Sequence, residues 1–312
     1  MDDNPKEKDL SLFLFSFALL FVVSFCVMLN IKKTADHQHT KNLLTGASFF
    51  TAALLSMIGY ALVYSVQNIE ADASVIFSDE RLIYPLVLEF ICMLAMRKNY
   101  ELNGDNIVAI NFSMFLSLPL VPLIAFFGTQ AFGFEETKTL NYASTSEFIV
   151  ILAVITTLIG CYFIDKFKKG HFNSWFFLLL PPFLLSANLF FGVKLMQIHN
   201  PLLIYATIML ATSAPLLFVA FSQGESRLWG RGEWKKLGQL SAAWIVLIPC
   251  NAWATQLVST EIFTLLKRIS QIFAGMLMDK IYNKSNRLKL KDKAIILVLF
   301  FIGVWLYYSR SA

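Results

Sequence analysis

Charge is what this sequence has least of. Asp, Glu, Lys and Arg make up only 15% of its 312 residues, while 57% are hydrophobic. About a quarter of an average soluble chain is charged, so a soluble fold would lack the polar surface to enclose so much apolar side chain. Basic blocks interleaved with aromatics are also missing. The formal charge is only +5, which gives a nucleic-acid partner no footing. The four cysteines, Cys26, Cys92, Cys161 and Cys250, sit one to an apolar run and form no CxxC pair. They read as free thiols packed in core or lipid, not as a disulfide or zinc framework. His37, His39, His171 and His199 fall in connections or at run ends without metal-ligand spacing, and read as solvated. No glycine-rich phosphate loop, GxSxG or HExxH occurs. The sequence therefore points to no enzyme, no cofactor and no metal. Asp79-Glu80-Arg81 reads as a solvated cap at a helix start, where the dipole favours acidic groups.

What is present is a series of long apolar runs separated by short polar connections. The runs have the length of a bilayer-crossing helix, about 20 residues. Barrel strands would be about half as long and would alternate apolar with polar. Lipid offers the backbone no water, so each run must be helical. The spacing predicts ten spans: 10–29, 43–66, 76–96, 107–127, 148–164, 172–196, 201–221, 237–258, 260–281 and 294–308. The first follows MDDNPKEKD and reads as a retained helix rather than a cleaved signal peptide. The expected fold class is thus all-α, a polytopic membrane protein.

The two halves of the chain share a layout. Spans one and six end in Asn30-Ile31-Lys32 and Gly192-Val193-Lys194, and each precedes a span opening on a Leu pair, Leu43-Leu44 and Leu202-Leu203. Spans five and ten, ILAVITTLIGCYFI and IILVLFFIGVWLYY, carry an Ile-Gly pair at a similar place. Five spans per half would invert the second half in the membrane, as in many secondary transporters. The expected halves are residues 1–168 and 169–312. Eight of the nine prolines fall in or at the edge of spans three, four, six, seven and eight, and none in five or ten. Proline bends a helix. The bent helices are either ordinary membrane helices or the walls of a cavity with five and ten outside it.

These features resemble the drug/metabolite transporter superfamily, EamA-like branch. The likeness rests on ten spans in a 5+5 layout and on two stretches, SANLFFGVKLMQIHNPLLIYA and WATQLVSTEIFTLLKRISQIFAGMLMDKIY. Asp279 stands where an acidic residue often closes the ninth helix of that family. The resemblance implies a carrier of small metabolites with helices five and ten peripheral. Charge bias sets the orientation apart from the family's usual one. Connections after spans one, three, five, seven and nine hold seventeen Lys and Arg, and the opposite side holds six. The richer side belongs in the cytoplasm. Both termini then lie outside, whereas the family more often keeps them inside.

Ionisable groups within spans are costly and mark function by default. Glu89 lies in span three, and Lys267 and Arg268 lie about two turns into span nine. Glu89 either pairs with one of the cations as a structural lock or lines a cavity. Thr260, Thr264, Lys267 and Gln271 recur at helical spacing and share a face. Lys267 is therefore the expected cavity residue, and Arg268, on the side of Glu261 and Asp279, the expected ion-pair residue. Asn188 and Ser186, Asn251 and Gln256, and Asn111 and Ser113 are further polar candidates, for substrate or as glue between helices. Tyr60, Tyr64, Trp244 and Trp253 read as packing or interfacial anchors.

The expected function is secondary transport of a small polar metabolite. An anionic one would be met by Lys267, with Glu89 as proton-coupling group or receptor for an amine. The site set is Lys267, Glu89, Arg268, Gln271, Thr264, Asn188 and Asn251. Expected partners are the metabolite and the lipid bilayer of the cell (inner) membrane, with a homodimer left open. The alternative is a non-transporting membrane subunit or sensor of an envelope or lipid pathway.

Overall fold

A computed structural model describes residues 11, 14–25, 41–64, 66–103, 113–134, 137, 145–164 and 172–281, with 294, 295, 298, 299, 301, 302 and 305 near the C-terminus. The described residues form helices and no strand. In chain order they are α1 (Leu14–Phe25), α2 (Lys41–Tyr64), α3 (Val66–Ser78), α4 (Ile83–Asn103), α5 (Ser117–Ala131), α6 (Thr145–Ile164), α7 (Phe172–Ile198), α8 (Pro201–Ser222), α9 (Arg231–Leu257) and α10 (Thr260–Ile281). Among the described residues, four stretches are long and apolar enough to cross a membrane: Asn42–Leu62, Phe176–Ile198, Pro201–Ser222 and Arg231–Leu257. By length and composition this is a multi-pass membrane protein. Large apolar side chains stand on the outer surface, such as Leu62 at 83% and Phe218 at 75% exposure, as a lipid-facing surface requires. Helices α4 and α10 have 21 and 22 residues but carry charges within them, Glu89 in α4 and Lys267 and Arg268 in α10.

The helices approach closely where their side chains are small. Helix α2 packs along α8 more extensively than any other pair. A Cβ at Gly46 would sit 3.0 Å from the Leu217 side chain, so glycine there sets that approach. Phe49, Ala52 and Ala53 then meet Ala206, Met209, Leu216 and Ile248. Helix α4 lies along α7, α9 packs on α2 and α8, and α5 packs on α7 and α10.

The third expected span is displaced. Helix α3 ends at Ser78, a 3-10 turn covers Glu80–Leu82, and α4 begins at Ile83. The Asp79 side chain accepts from the backbone N–H of Arg81 and caps the turn. Pro85 then falls in the first turn of α4, where its missing N–H costs nothing. Residues 67–75, which read as a connection, belong to α3. The fourth span, expected over 107–127, appears as a 3-10 turn at Met114–Leu116 and then α5; residues 107–112 lie outside the described residues. The tenth lies mostly outside them too.

The capping turn is also corrected in its surroundings: Glu80 is exposed, but the Asp79 carboxylate is not solvated. The Asp79 carboxylate binds Arg81 at 2.7 Å and His199 at 2.8 Å, with its side chain 9% exposed. Arg81 in turn donates to the Gly133 carbonyl at 2.7 Å and stacks 4.6 Å from the Phe134 ring. His199 is thus a partner in this clasp and not a solvated loop residue. Gly133 takes a φ of 64°, which glycine adopts without strain. Beside it, Asp72 accepts from the Tyr60 hydroxyl at 2.7 Å, and Asn200 donates to that hydroxyl at 2.9 Å. Asn200 also caps α8, accepting from the N–H groups of Leu202 and Leu203, with Pro201 at the first helical position. One face of the bundle is therefore tied through α2, α3, α4, α5 and the α7–α8 turn.

The Arg81 guanidinium, helped by His199 and against the opposing effect of burial, holds the Asp79 carboxyl well below its ordinary 3.8. A depressed carboxylate contributes stability that is whole above the ordinary value and is lost as pH falls through it toward the folded one. Asp79→Asn is expected to lower the melting temperature in detergent at neutral pH, with the gap from the parent protein closing below roughly pH 4. Asn200→Ala removes a cap and is expected to cost about 1 kcal/mol in the same measurement.

Candidate functional site

A cavity of about 220 Å³ lies among α2, α4, α7, α8, α9 and α10, with the end of α1 and Met114 ahead of α5 also in its lining. Its polar wall is assembled from five helices. Helix α4 brings Glu89, α7 brings Asn188, α8 brings Tyr205, and α9 brings Asn251. Helix α10 adds Lys267, Arg268 and Gln271. Six of the seven residues singled out from the sequence therefore share one cavity, although they come from four separate helices.

The seventh, Thr264, does not. It is fully buried, and its hydroxyl donates to the Thr260 carbonyl at 2.8 Å. A short side chain in a closely packed turn satisfies itself on its own helix, so sharing a face with Lys267 does not bring it to the cavity.

Two hydrogen-bonded pairs order the wall. The Asn188 amide donates to the Glu89 carboxylate, and the Asn251 amide donates to the Tyr205 hydroxyl at 3.0 Å. Arg268, 2% exposed, donates to Ser117 Oγ at 2.8 Å and to Gln271 Oε1 at 2.7 Å. The expectation of an ion pair for Arg268 is thus corrected: neutral oxygens from α5 and its own helix hold it. Glu261 is not its counter-charge. Glu261 lies within electrostatic reach of Lys194, which is fully buried on α7 rather than at a helix end. A buried ammonium needs a compensating charge nearby. The Asp279 side chain lies outside the described residues.

Lys267 places its ammonium 5.4 Å from the Phe263 ring centre, a favourable cation–π distance. Glu89 and Lys267 lie near enough for their charges to act on one another. Among the described residues, however, neither forms an ion pair. Three further atoms of cavity residues have no partner among the described residues: Asn188 Oδ1, Asn251 Oδ1 and Arg268 Nη2.

The rest of the wall is apolar. Phe49 and Trp244 meet edge to face at 4.7 Å, and Met93, Met96 and Met209 add flexible thioethers. Trp244 therefore lines the cavity as well as packing. Tyr205 was not singled out from the sequence, because a lone tyrosine in an apolar run gives no sign of facing an interior. Cys92, read as a packed thiol, is buried in this wall. Other polar candidates serve the scaffold. The Ser186 hydroxyl donates to the Pro182 carbonyl, and the Gln256 amide donates to the Met196 carbonyl. Ser113 is buried outside the lining, and Asn111 lies outside the described residues. Helix α6 and residues 299 and 302 border a separate apolar cleft of about 30 Å³ and contribute nothing to the lining of the main cavity. Among the described residues, no three His, Cys, Asp or Glu side chains gather to hold a metal.

Comparison with models of known protein families finds no match, and comparison with curated proteins finds none either.

The geometry separates two substitutions. Asn188→Ala leaves the buried Glu89 without its hydrogen-bond donor and is expected to cost about 1–3 kcal/mol in denaturation. Thr264→Val removes only a bond within one helix. It is expected to cost under about 1 kcal/mol and to leave ligand binding unchanged.

Proposed function

We propose that this chain is a secondary carrier of a small polar metabolite, working by alternating access between two inverted five-helix halves, residues 1–168 and 169–312. The observation that carries the reading is the unpaired, oppositely charged set around one cavity. Burying a cation within a membrane helix is unfavourable by about 2.5–3.5 kcal/mol on insertion scales. A structural lock would recover that cost by direct contact between Glu89 and a cation. Here the charges share a cavity and remain apart, which suits a group that enters between them.

Helix contacts support the inverted repeat. A twofold axis relating spans one to five with spans six to ten exchanges span two with seven and span four with nine. Contacts of α2 with α8 and of α5 with α10 are then self-paired. The contact of α2 with α9 is matched by that of α8 with α4. The Ser24–Ser270 hydrogen bond at 2.9 Å, between α1 and α10, is matched by α7 against α5. This pattern is also the one implied by the resemblance to EamA-like drug/metabolite transporters. The lysine-rich connections follow α1, α4, α6, α8 and α10, a bias that supports a cytoplasmic position for that face in a cell whose inner membrane holds the protein, with both termini outside. The Asp79–Arg81–His199 clasp then ties the outer face. At the other face, Glu225 accepts from Asn42 Nδ2 at 2.6 Å and from the Leu43 N–H at 2.8 Å. Each tie would have to open in turn.

Uptake into proteoliposomes, screened across a metabolite library, tests the proposal. Lys267→Ala is expected to abolish uptake of an anionic substrate by at least about tenfold while membrane insertion is kept. Glu89→Gln is expected to remove the pH dependence of uptake. Unfolding in both single variants with rescue in the double variant would replace the carrier reading with a structural ion pair. Ligand binding without any uptake would favour a membrane sensor or subunit.

A further inference from the structure

We infer that the start of α9, with the 3-10 turn Glu225–Leu228 that precedes it, is a docking site for an anionic phospholipid of the adjoining leaflet. The site is separate from the cavity, and its occupant does not depend on what the cavity carries. Helix length puts this segment at the membrane surface. Helix α9 has 27 residues, which span about 40 Å at a rise of about 1.5 Å per residue. The hydrocarbon core is only about 30 Å thick. All the charges of α9 fall between Arg231 and Lys236, and none follows up to Leu257, so the excess length lies at this end. Roughly the first two turns therefore stand in the headgroup layer. Trp229 and Trp234 meet edge to face at 5.5 Å, which folds the 3-10 turn against the first turn of α9. Trp234 is 63% exposed, as an anchor at headgroup level is.

The segment's acidic groups are committed elsewhere. Glu225 is buried and caps α2 through the Asn42 amide and the Leu43 N–H. Glu233 accepts from the Gly230 N–H at 3.2 Å and lies 3.9 Å from Lys236. Arg227, Arg231 and Lys235 are exposed and form no ion pair among the described residues. The outward surface is therefore cationic, although the segment alternates in sign. Arg231 and Lys235 stand one turn apart on one face of α9. Gly238 and Ala242 continue that face toward the bilayer interior, both exposed, and a Cβ at Gly238 would meet no atom within 4 Å. Cations at headgroup level above an open apolar strip suit a phosphate carried on acyl chains. A guanidinium meets a phosphate through paired N–H donors, and an ammonium adds a point charge. A zwitterionic headgroup brings its own cation and gains less. A soluble phosphate would meet the cations but leave Trp234 and the strip below them unused. On the proposed orientation this leaflet is the cytoplasmic one, whose surface is anionic.

Lipid titration of the purified full-length protein in neutral detergent, read by native mass spectrometry, tests this. The probes are phosphatidylglycerol and phosphatidylcholine with identical acyl chains, and glycerol 3-phosphate as a soluble competitor. Phosphatidylglycerol is expected to bind at least about tenfold tighter than phosphatidylcholine and to resist displacement by glycerol 3-phosphate. The triple variant Arg227→Gln, Arg231→Gln, Lys235→Gln should lose that preference. The triple variant Lys166→Gln, Lys168→Gln, Lys169→Gln, which removes as much charge from another connection, should keep it. Equal binding of the two lipids overturns the inference. Equal loss in both variants would assign the preference to net charge instead of this site, and displacement by glycerol 3-phosphate would assign it to a soluble phosphate; either result also overturns it. A photoactivatable phosphatidylglycerol on the parent protein needs no variant to fold. Its label is expected within residues 227–242, and a label spread evenly over the other basic connections would sink the assignment.

Discussion

Burying Glu89, Lys267 and Arg268 inside a bundle that is otherwise apolar is the constraint around which this structure is arranged. A charge in such a place is tolerated when it has polar partners or access to a polar space. Arg268 meets the condition through Ser117 and Gln271, which ties α10 to α5. Glu89 meets it through Asn188, which ties α4 to α7. Lys267 meets it through the cavity and the face of Phe263. Each charged group therefore also fixes a helix–helix relation, and together these relations hold the cavity open between α4, α7, α9 and α10.

The outer layers answer to a different requirement. Lipid-facing positions carry large apolar side chains, and the tight contacts are made by Gly46, Ala52, Ala53 and Ala206. Polar ties are kept to the ends of the helices, where the chain turns. The Asp79–Arg81–His199 group and the Tyr60–Asp72–Asn200 group occupy one face, and the Glu225 cap of α2 the other. The middle is held by packing and by charge placement.

How much of this was legible in the sequence depends on the length scale of the signal. Apolar runs act over about 20 residues, and the helices α2, α7, α8 and α9 follow from them directly. The break at Asp79 was harder, because the capping carboxylate and Pro85 act over only a few residues, with apolar side chains on either side of the charged run. Lys194 was misplaced for a related reason: a lysine after an apolar run looks like an end marker, yet α7 continues to Ile198 and buries it. His199 looked solvated because its partner Asp79 is 120 residues away.

The sequence by itself determined that this chain is helical and multi-pass, because the cost of unbonded backbone in lipid leaves apolar runs of that length no other form. It also singled out Glu89, Lys267 and Arg268 as costly within a span, with Asn188 and Asn251 as polar candidates for substrate or for helix contact. Only the tertiary structure decided how those groups stand to one another. Helical periodicity fixes a residue's angle on its own helix but not the neighbour that the face meets. Thr264 and Lys267 occupy one stripe, and packing alone turned the first back onto its helix and gave the second to the cavity. The same packing kept Glu89 and Lys267 in reach of each other's charge and out of contact, a separation that no spacing along the chain encodes.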